Sequence, residues 1–347
     1  MEKPDARDRS AAMKAPRRGV IARTAFLLLL VACGSRTGLF GTEDGVNGLL
    51  PDGGPLPGTD GGFRDGAPGL DGSFEPDAPL PPIDAAPRPD ANRNDCPDAD
   101  ATLVYVVTEG NELYSFFPTD GTFKFISNLT CPAGTDTPFS MAVDRRGVAY
   151  VEFTDNRLYR VSTATGACIP TSFEPNQQGF GAFGMGFATN DVGPTEALFI
   201  AGSTDSPGAV SPGLGRVDVG TFNVTLVGPF VPNISNAELT GTGDGRLFAF
   251  YNKSTDPMLG NQPPSFIGEI DTTNAHVIAE TPFPTVGQGT GWAFAFWGGD
   301  FYMFTSPTQS SGSDVTRWRP SDNSVTVVTS LPSKIVGAGV STCAPAQ

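Results

Sequence analysis

The feature that most constrains the fold of this 347-residue chain is a short apolar strand centred on an aromatic residue, which recurs along the sequence. Successive central aromatics stand 45, 49, 49 and 54 residues apart. The five copies are Val104-Tyr105-Val106, Ala149-Tyr150-Val151, Leu198-Phe199-Ile200, Leu247-Phe248-Ala249 and Phe301-Tyr302-Met303. A period of roughly 50 residues indicates repeated units, each of which buries its apolar face against its neighbours.

Further strands accompany each copy. A pair of apolar runs joined by a turn follows every copy, as in Leu158–Val161 and Cys168–Ile169. Another strand precedes the aromatic copy in units two to five, whereas the first unit lacks it. A fifth version of that strand occurs instead at the far end, at Gly337–Ser341. This permutation indicates that the C-terminal strand completes the first unit and removes an open sheet edge.

Four strands in each repeat of this length are typical of β-propeller blades. Residues 100 to 343 resemble that superfold, although no WD or kelch motif assigns them to a family. We therefore predict an all-β, five-bladed β-propeller of four-stranded blades, with the first blade closed by the C-terminal strand. The alternative, a β-sandwich, would also show alternating short strands but would not explain the permuted strand.

The N-terminal region resembles a bacterial lipoprotein signal peptide. A basic cluster and the apolar run Ala25–Ala32 are followed directly by Cys33, so that Leu30-Val31-Ala32-Cys33 resembles a lipobox. The run is much shorter than the ~20 apolar residues that a membrane-spanning helix needs. The resemblance implies cleavage before Cys33, lipidation of Cys33 and attachment to the cell envelope. Because Gly34 rather than aspartate follows the cysteine, it implies the outer membrane.

The composition divides the chain into three parts. We assign residues 1–32 to the signal peptide, and translation from Met13 would give a more typical start than Met1 because Asp5 and Asp8 are unusual in such a leader. Residues 33–95 are dominated by Gly, Pro and Asp without an apolar period, which predicts a disordered tether. The propeller domain then occupies residues 96–347.

Four cysteines remain once Cys33 is lipidated, namely Cys96, Cys131, Cys168 and Cys343. An even number in an exported chain indicates two disulfides, for which three pairings are possible. The propeller resemblance suggests Cys96 with Cys343 beside the closing strand, and Cys131 with Cys168 between the first two blades. With no C-x-x-C spacing and a single histidine, the sequence predicts neither a metal site nor another cofactor.

Charge and motifs exclude several functions. Loss of residues 1–32 changes the net charge from −15 to −19, and such a surface would repel nucleic acid. The sequence contains no nucleophile elbow, Walker A loop or H-E-x-x-H motif. Gly179–Gly184 matches G-x-G-x-x-G but lacks the strand-to-helix context of a dinucleotide site. Its glycines are better explained by close packing of an inner strand.

Six aromatics near the long loops form a candidate binding face. They are Phe173, Phe180, Phe183, Phe230, Phe283 and Trp292. Aromatic rings amid Asn, Gln, Ser and Thr suit neutral glycans or peptides, whereas the alternative is that the rings fill the space between blades. We expect a non-catalytic binding or scaffold module, attached to the membrane by its lipid, for a glycan, a peptide or an envelope protein. The alternative function is a metal-dependent hydrolase or lactonase of propeller fold that uses calcium.

Overall fold

The computed structural model describes residues 80, 82–83, 103–190, 195–203, 211–253 and 261–346. These residues form twenty β-strands and one 3-10 helical turn at Gln177–Gly179. The strands are arranged in five antiparallel sheets of four strands each. The predicted signal peptide, Cys33 and nearly all of the predicted tether lie outside the described residues.

The sheets follow one another along the chain as blades, and each is ordered here from its inner to its outer strand. Blade 1 contains β20 (Ile335–Val340), β1 (Val104–Thr108), β2 (Glu112–Phe117) and β3 (Thr122–Asn128). Blade 2 contains β4 (Pro138–Val143), β5 (Val148–Phe153), β6 (Leu158–Ser162) and β7 (Cys168–Pro170). Blade 3 contains β8 (Phe183–Thr189), β9 (Glu196–Gly202), β10 (Leu214–Val217) and β11 (Val224–Gly228).

The last two blades have the same order. Blade 4 contains β12 (Ser235–Gly241), β13 (Leu247–Asn252), β14 (Ser265–Ile270) and β15 (Val277–Phe283). Blade 5 contains β16 (Trp292–Trp297), β17 (Asp300–Thr305), β18 (Ser313–Arg319) and β19 (Ser324–Leu331). The inner strands β20, β4, β8, β12 and β16 contact one another in a closed ring. The predicted five-bladed β-propeller is confirmed.

Closure of the ring depends on the last strand. β20 pairs antiparallel with β1, placing Val340 opposite Val104 and Ala338 opposite Val106. The C-terminal strand therefore completes the first blade, as the permuted repeat predicts, and the inner edge of β1 is covered.

Apolar side chains form five clusters, one at each interface between neighbouring blades. The second strand of a blade lies between two such clusters, and β13 is buried along its whole length. Burial on both faces explains why the aromatic-centred copies read as continuous apolar runs. The outer strands have one or both faces in water, and β3 contains no fully buried residue.

Glycines allow the inner strands to approach closely. An ideal Cβ on Gly186 of β8 would lie 2.8 Å from the carbonyl oxygen of Leu239 on β12. One on Gly337 of β20 would lie 2.8 Å from the backbone nitrogen of Met141 on β4. Real Cβ atoms do not come this near to backbone atoms, so only glycine fits at these two positions. This packing agrees with the role predicted for the glycines around Gly184.

One predicted disulfide is confirmed. Cys131 and Cys168 are bonded, with 5.1 Å between their Cα atoms, and connect the link after blade 1 to the outer strand of blade 2. Cys343 is also disulfide-bonded, and its predicted partner, Cys96, lies outside the described residues.

Two residues from the predicted tether pack against the propeller. Ile83 is only 8% exposed and joins the apolar cluster between blades 4 and 5, and Leu80 packs against the cluster between blades 3 and 4. The contacts of the propeller thus begin before residue 96. Within the described parts of the chain, no helix is long and apolar enough to cross a membrane.

Candidate functional site

The two faces of the propeller carry different connections. Since successive strands alternate in direction, the links between blades and the connections from second to third strands emerge on one face, which we call the loop face. The opposite face, the turn face, carries the tight turns from inner to second strands, such as Asp144–Gly147. The long connections after β9, β13 and β17 therefore share the loop face.

A groove of about 480 Å³ opens on the loop face between blades 4 and 5. Its walls combine the connection after β13, the link between the two blades, and residues of β17, β18 and β19. The lining residues are Asn261, Gln262, Pro263, Thr285, Val286, Gly287, Gly289, Thr305, Pro307, Thr308, Asp314, Thr316, Val325 and Val327. This set defines the groove.

The strand wall of the groove is the outer part of one side of blade 5. Thr316 is paired with Met303 on β17 and with Val327 on β19, so all three side chains lie on the same side of the sheet. Met303 is fully buried against blade 4, whereas Val327 is 61% exposed and Val325 46%. Blade 4 therefore covers the inner part of this side and leaves its outer part open.

Buried amides hold the opposite wall in place. Gln288, which is fully buried, accepts a 2.6 Å hydrogen bond from the Asn252 amide and donates one of 2.7 Å to the Asn236 carbonyl. The Asn236 amide in turn donates to the Asn261 side-chain oxygen at 3.0 Å, and the Asn261 carbonyl accepts from the Gly289 N–H. Because each amide is fixed by its neighbour, hydrogen bonds within the protein hold this wall in place.

The link between blades is also joined to the β17–β18 connection. Thr290 donates its backbone N–H to the carbonyl of Ser306, and Gly289 adopts φ +74°, where a side chain would meet that carbonyl. The hydroxyls of Ser306 and Ser313 lie 2.7 Å apart, and Ser313 accepts a hydrogen bond from the backbone N–H of Ile335. The β17–β18 connection beside the groove is thereby tied to the inner strand of blade 1.

Chemically, the groove is almost neutral. Asp314 is the one ionisable residue among its described lining residues. Threonine hydroxyls and the Asn261 and Gln262 amides supply directed hydrogen bonds, while Pro263, Val286 and the β19 valines supply apolar area. A concave site with apolar walls and a few polar groups is typical of small-ligand and peptide recognition.

The predicted aromatic face does not form. The rings of Phe173, Phe180, Phe183, Phe230 and Phe283 are all no more than 5% exposed, and Trp292 is partly buried. Phe173 packs edge-on against Phe183, and Phe283 against Trp318. These rings fill the interfaces between blades, because burying a phenylalanine is favourable by about 1.5–3 kcal/mol. The alternative weighed for them, packing between blades, is the one observed.

The sequence analysis missed a pair of buried carboxyls near the inner strands. Glu152 is fully buried and accepts a 3.0 Å hydrogen bond from the Phe183 N–H, and Glu238 accepts one from the Ser140 hydroxyl, also at 3.0 Å. Burial raises the pKa of Glu152 well above its ordinary value, and Glu238 adds to the rise. An acid inside the apolar run Ala149–Phe153 was the available signal. No cluster of three or more metal-ligating side chains was found in the described parts of the chain.

A third carboxyl, that of the partly buried Glu196, lies on the turn face. It accepts hydrogen bonds from the Arg145 N–H at 2.7 Å and from the Thr342 hydroxyl at 2.9 Å. It thus connects blade 3 to a turn of blade 2 and to the segment after β20. Desolvation by burial raises the pKa of Glu196 to about 7, against the lowering effect of these two hydrogen bonds.

No family model and no curated protein matches the chain. Among solved structures, it is similar to one from a nidogen/laminin complex, with 12% identity over 69% of this chain and 98% of that chain and a TM-score of 0.43. It is also similar to the Dos1 propeller, with 12% identity, 69% and 71% coverage and a TM-score of 0.37. It is similar as well to TolB from Acinetobacter baumannii, with 16% identity over 67% of this chain and 53% of that chain and a TM-score of 0.35. These values are too low to transfer a function.

Proposed function

We propose that this protein is a lipid-anchored cell-envelope protein whose propeller acts as a non-catalytic binding or scaffold module. The observation that carries the proposal is the groove between blades 4 and 5, which offers about 480 Å³ of concave, nearly neutral surface. The ligand class is a neutral or weakly cationic glycan, peptide or protein segment, because the single ionisable lining residue is Asp314.

The rigidity of the groove supports a role in recognition. The amide chain from Asn252 through Gln288 to Asn261 fixes the wall opposite the strands, so a ligand does not have to order it on binding. A pre-formed site keeps more of its contact energy as affinity.

The anchor belongs to the same proposal and rests on the order of basic cluster, apolar run and Cys33. An acidic chain has no electrostatic affinity for anionic headgroups, so attachment would depend on the lipid. Replacement of Cys33 by Ala is expected to move the protein from the membrane pellet to the soluble fraction. Unchanged fractionation would refute the anchor without bearing on the groove.

The groove is tested by filling it. Thr308 is exposed at its rim, and Thr308→Trp places a large ring across the opening. We expect this variant to lose binding on glycan and envelope-protein arrays while unfolding at the same temperature as the parent. Ser321→Trp, an exposed position on the turn face, is the matched control and should keep binding. Equal binding by both variants would show that the ligand site lies elsewhere.

A further inference from the structure

The outer edges of the five blades differ in how far they are protected against pairing with another strand. Exposed edges in natural sheets are kept short or interrupted by charge or proline. β7 has three residues and β11 five. β3 contains Lys124, and β15 contains Glu280 and Pro282. Four of the five outer edges thus carry a recognisable device against strand pairing.

β19 carries none of these devices, although its pairing with β18 shifts register between the Thr316–Val327 and Val315–Thr329 pairs. It is eight residues long, from Ser324 to Leu331, and contains neither a charged residue nor a proline. It is the terminal strand of its sheet, so one of its edges has no strand partner among the described residues. A turn of blade 1 approaches its second half, where a Cβ on Gly121 would lie 3.4 Å from the Val328 carbonyl and 3.6 Å from the Thr329 Cβ. In the first half, which we call the open half, Val325, Thr326 and Val327 are exposed.

The open half of this edge borders the groove. Val325 and Val327 of β19 line the groove and project on the same side as Thr316. A strand added to β19 would place every second side chain on that side, about 7 Å apart. Asp314 precedes Thr316 by two residues on β18 and, beyond a register shift, is paired with Ser330 of β19. Val325 and Val327 thus border two alternate side-chain positions at the spacing of a β-strand, and Asp314 lies beyond them at the end of the groove toward the loop face.

We propose that β19 binds an extended peptide segment of a partner protein as an added strand, with alternate side chains entering the groove and a lysine or arginine pairing with Asp314. This inference rests on the proposed function and names the ligand class of the same groove. Strand addition takes its affinity from main-chain hydrogen bonds and its specificity from pockets for alternate side chains. The open half of β19 would supply the first, and the groove beside it the second.

Charge favours a peptide over a second copy of this chain. A second β19 would bring no cation to Asp314, because the strand has no charged residue. It would also bring a second chain with a net charge of −15. A basic residue within an extended peptide matches both the local carboxylate and the overall charge.

The test uses defined peptides with the full-length protein. The probe is a fluorescently labelled seven-residue peptide of alternating valine and threonine, blocked at both ends, with lysine at its centre. Companion probes carry glutamate at the centre or are N-methylated at every residue, and a labelled neutral heptasaccharide represents glycans. In anisotropy titrations at low salt we expect the lysine peptide to bind about fivefold more tightly than the glutamate peptide. The methylated peptide should not bind, because it lacks the amide donors of a strand.

Variants assign the binding to β19. Val327→Lys puts a charge on the open edge and should weaken binding of the lysine peptide at least about tenfold. Asp314→Asn, which keeps the side-chain shape, should abolish the preference for lysine over glutamate. Ile169→Lys, at a 64% exposed position on the outer edge of blade 2, is the control and should bind like the parent. Thermal unfolding of each variant checks that it folds.

The outcomes separate this inference from the proposed function. One outcome is that the heptasaccharide binds, that Thr308→Trp abolishes this binding, and that no peptide binds. The groove would then remain the binding site, and strand addition would be wrong. Equal binding of the fully methylated peptide would also overturn it. If sedimentation shows a dimer that Val327→Lys dissociates, the occupant is a second copy and the peptide proposal is wrong. Absence of binding by every probe would count against both proposals.

Discussion

Replacing Glu196 by Gln should remove a large part of the pH dependence of stability. Glu196, the first residue of β9 in blade 3, contacts the Asp144–Gly147 turn of blade 2 and the segment after β20. Its carboxylate oxygens accept hydrogen bonds from the Arg145 N–H and the Thr342 hydroxyl. Burial raises its pKa from 4.5 to about 7 in the folded protein, and the Asp144 carboxylate adds to the rise. Glutamine has the same shape but does not titrate.

The sign follows from proton linkage. Below pH 4.5 the carboxyl is protonated in both the folded and the unfolded chain, so it contributes no pH dependence. Between pH 4.5 and about 7 the folded chain binds the proton more tightly, and the free energy of unfolding therefore falls as the pH rises. A shift of this size corresponds to about 3 kcal/mol across that window. Above pH 7 the carboxyl is deprotonated in both states, so Glu196 adds no further pH dependence to the free energy of unfolding.

The measurement is urea denaturation of the parent and Glu196→Gln at half-unit steps from pH 4 to pH 8. We expect the variant to gain about 3 kcal/mol relative to the parent as the pH rises through the window. Glu152, whose pKa is also raised, makes the free energy of unfolding fall with pH in both proteins. Its contribution therefore cancels in the difference between them. Parallel curves for the two proteins would refute the raised pKa of Glu196 in the folded protein.

Two further predictions concern the connections that hold the ring together. The double substitution Cys131→Ser/Cys168→Ser opens a loop of 37 residues and should cost about 4 kcal/mol in guanidinium denaturation under non-reducing conditions, whereas an unchanged midpoint would show that the bond contributes nothing. Deletion of residues 335–347 removes β20 and should leave a chain that sediments as aggregates and lacks a cooperative thermal transition. Native-like melting of that chain would contradict closure of the ring through β1.

The architecture could be predicted from the sequence because its signal is repeated. Each aromatic-centred copy lies on a second strand that is covered on both faces, as β13 is, so its apolar run survives in every blade. The position of β20 followed from the strand missing before Tyr105, and the Cys131–Cys168 bond followed from the adjacency of blades 1 and 2. These are properties of topology, which a periodic pattern encodes.

The site could not be predicted in the same way. Alternation along a strand shows which side chains share a face, but not whether a neighbouring blade covers that face. Phe283 and Val327 both follow strand patterns, yet Phe283 is buried against Trp318 while Val327 is 61% exposed. The difference depends on how far blade 4 extends over blade 5. The buried acid Glu152 was likewise visible only as a single exception within an apolar run.

Ile83 shows the same limit at the domain boundary. A lone apolar residue in a proline-rich stretch has no period, and composition alone therefore assigns it to the tether. In the structure it packs with Phe248 and Phe301, beside Arg246, whose guanidinium lies over the Phe248 ring and pairs with Glu269 at 2.6 Å. These neighbours stand on the turn face, so Ile83 contacts the face opposite the groove. A chain beginning at residue 96 would expose this apolar patch while leaving the groove intact.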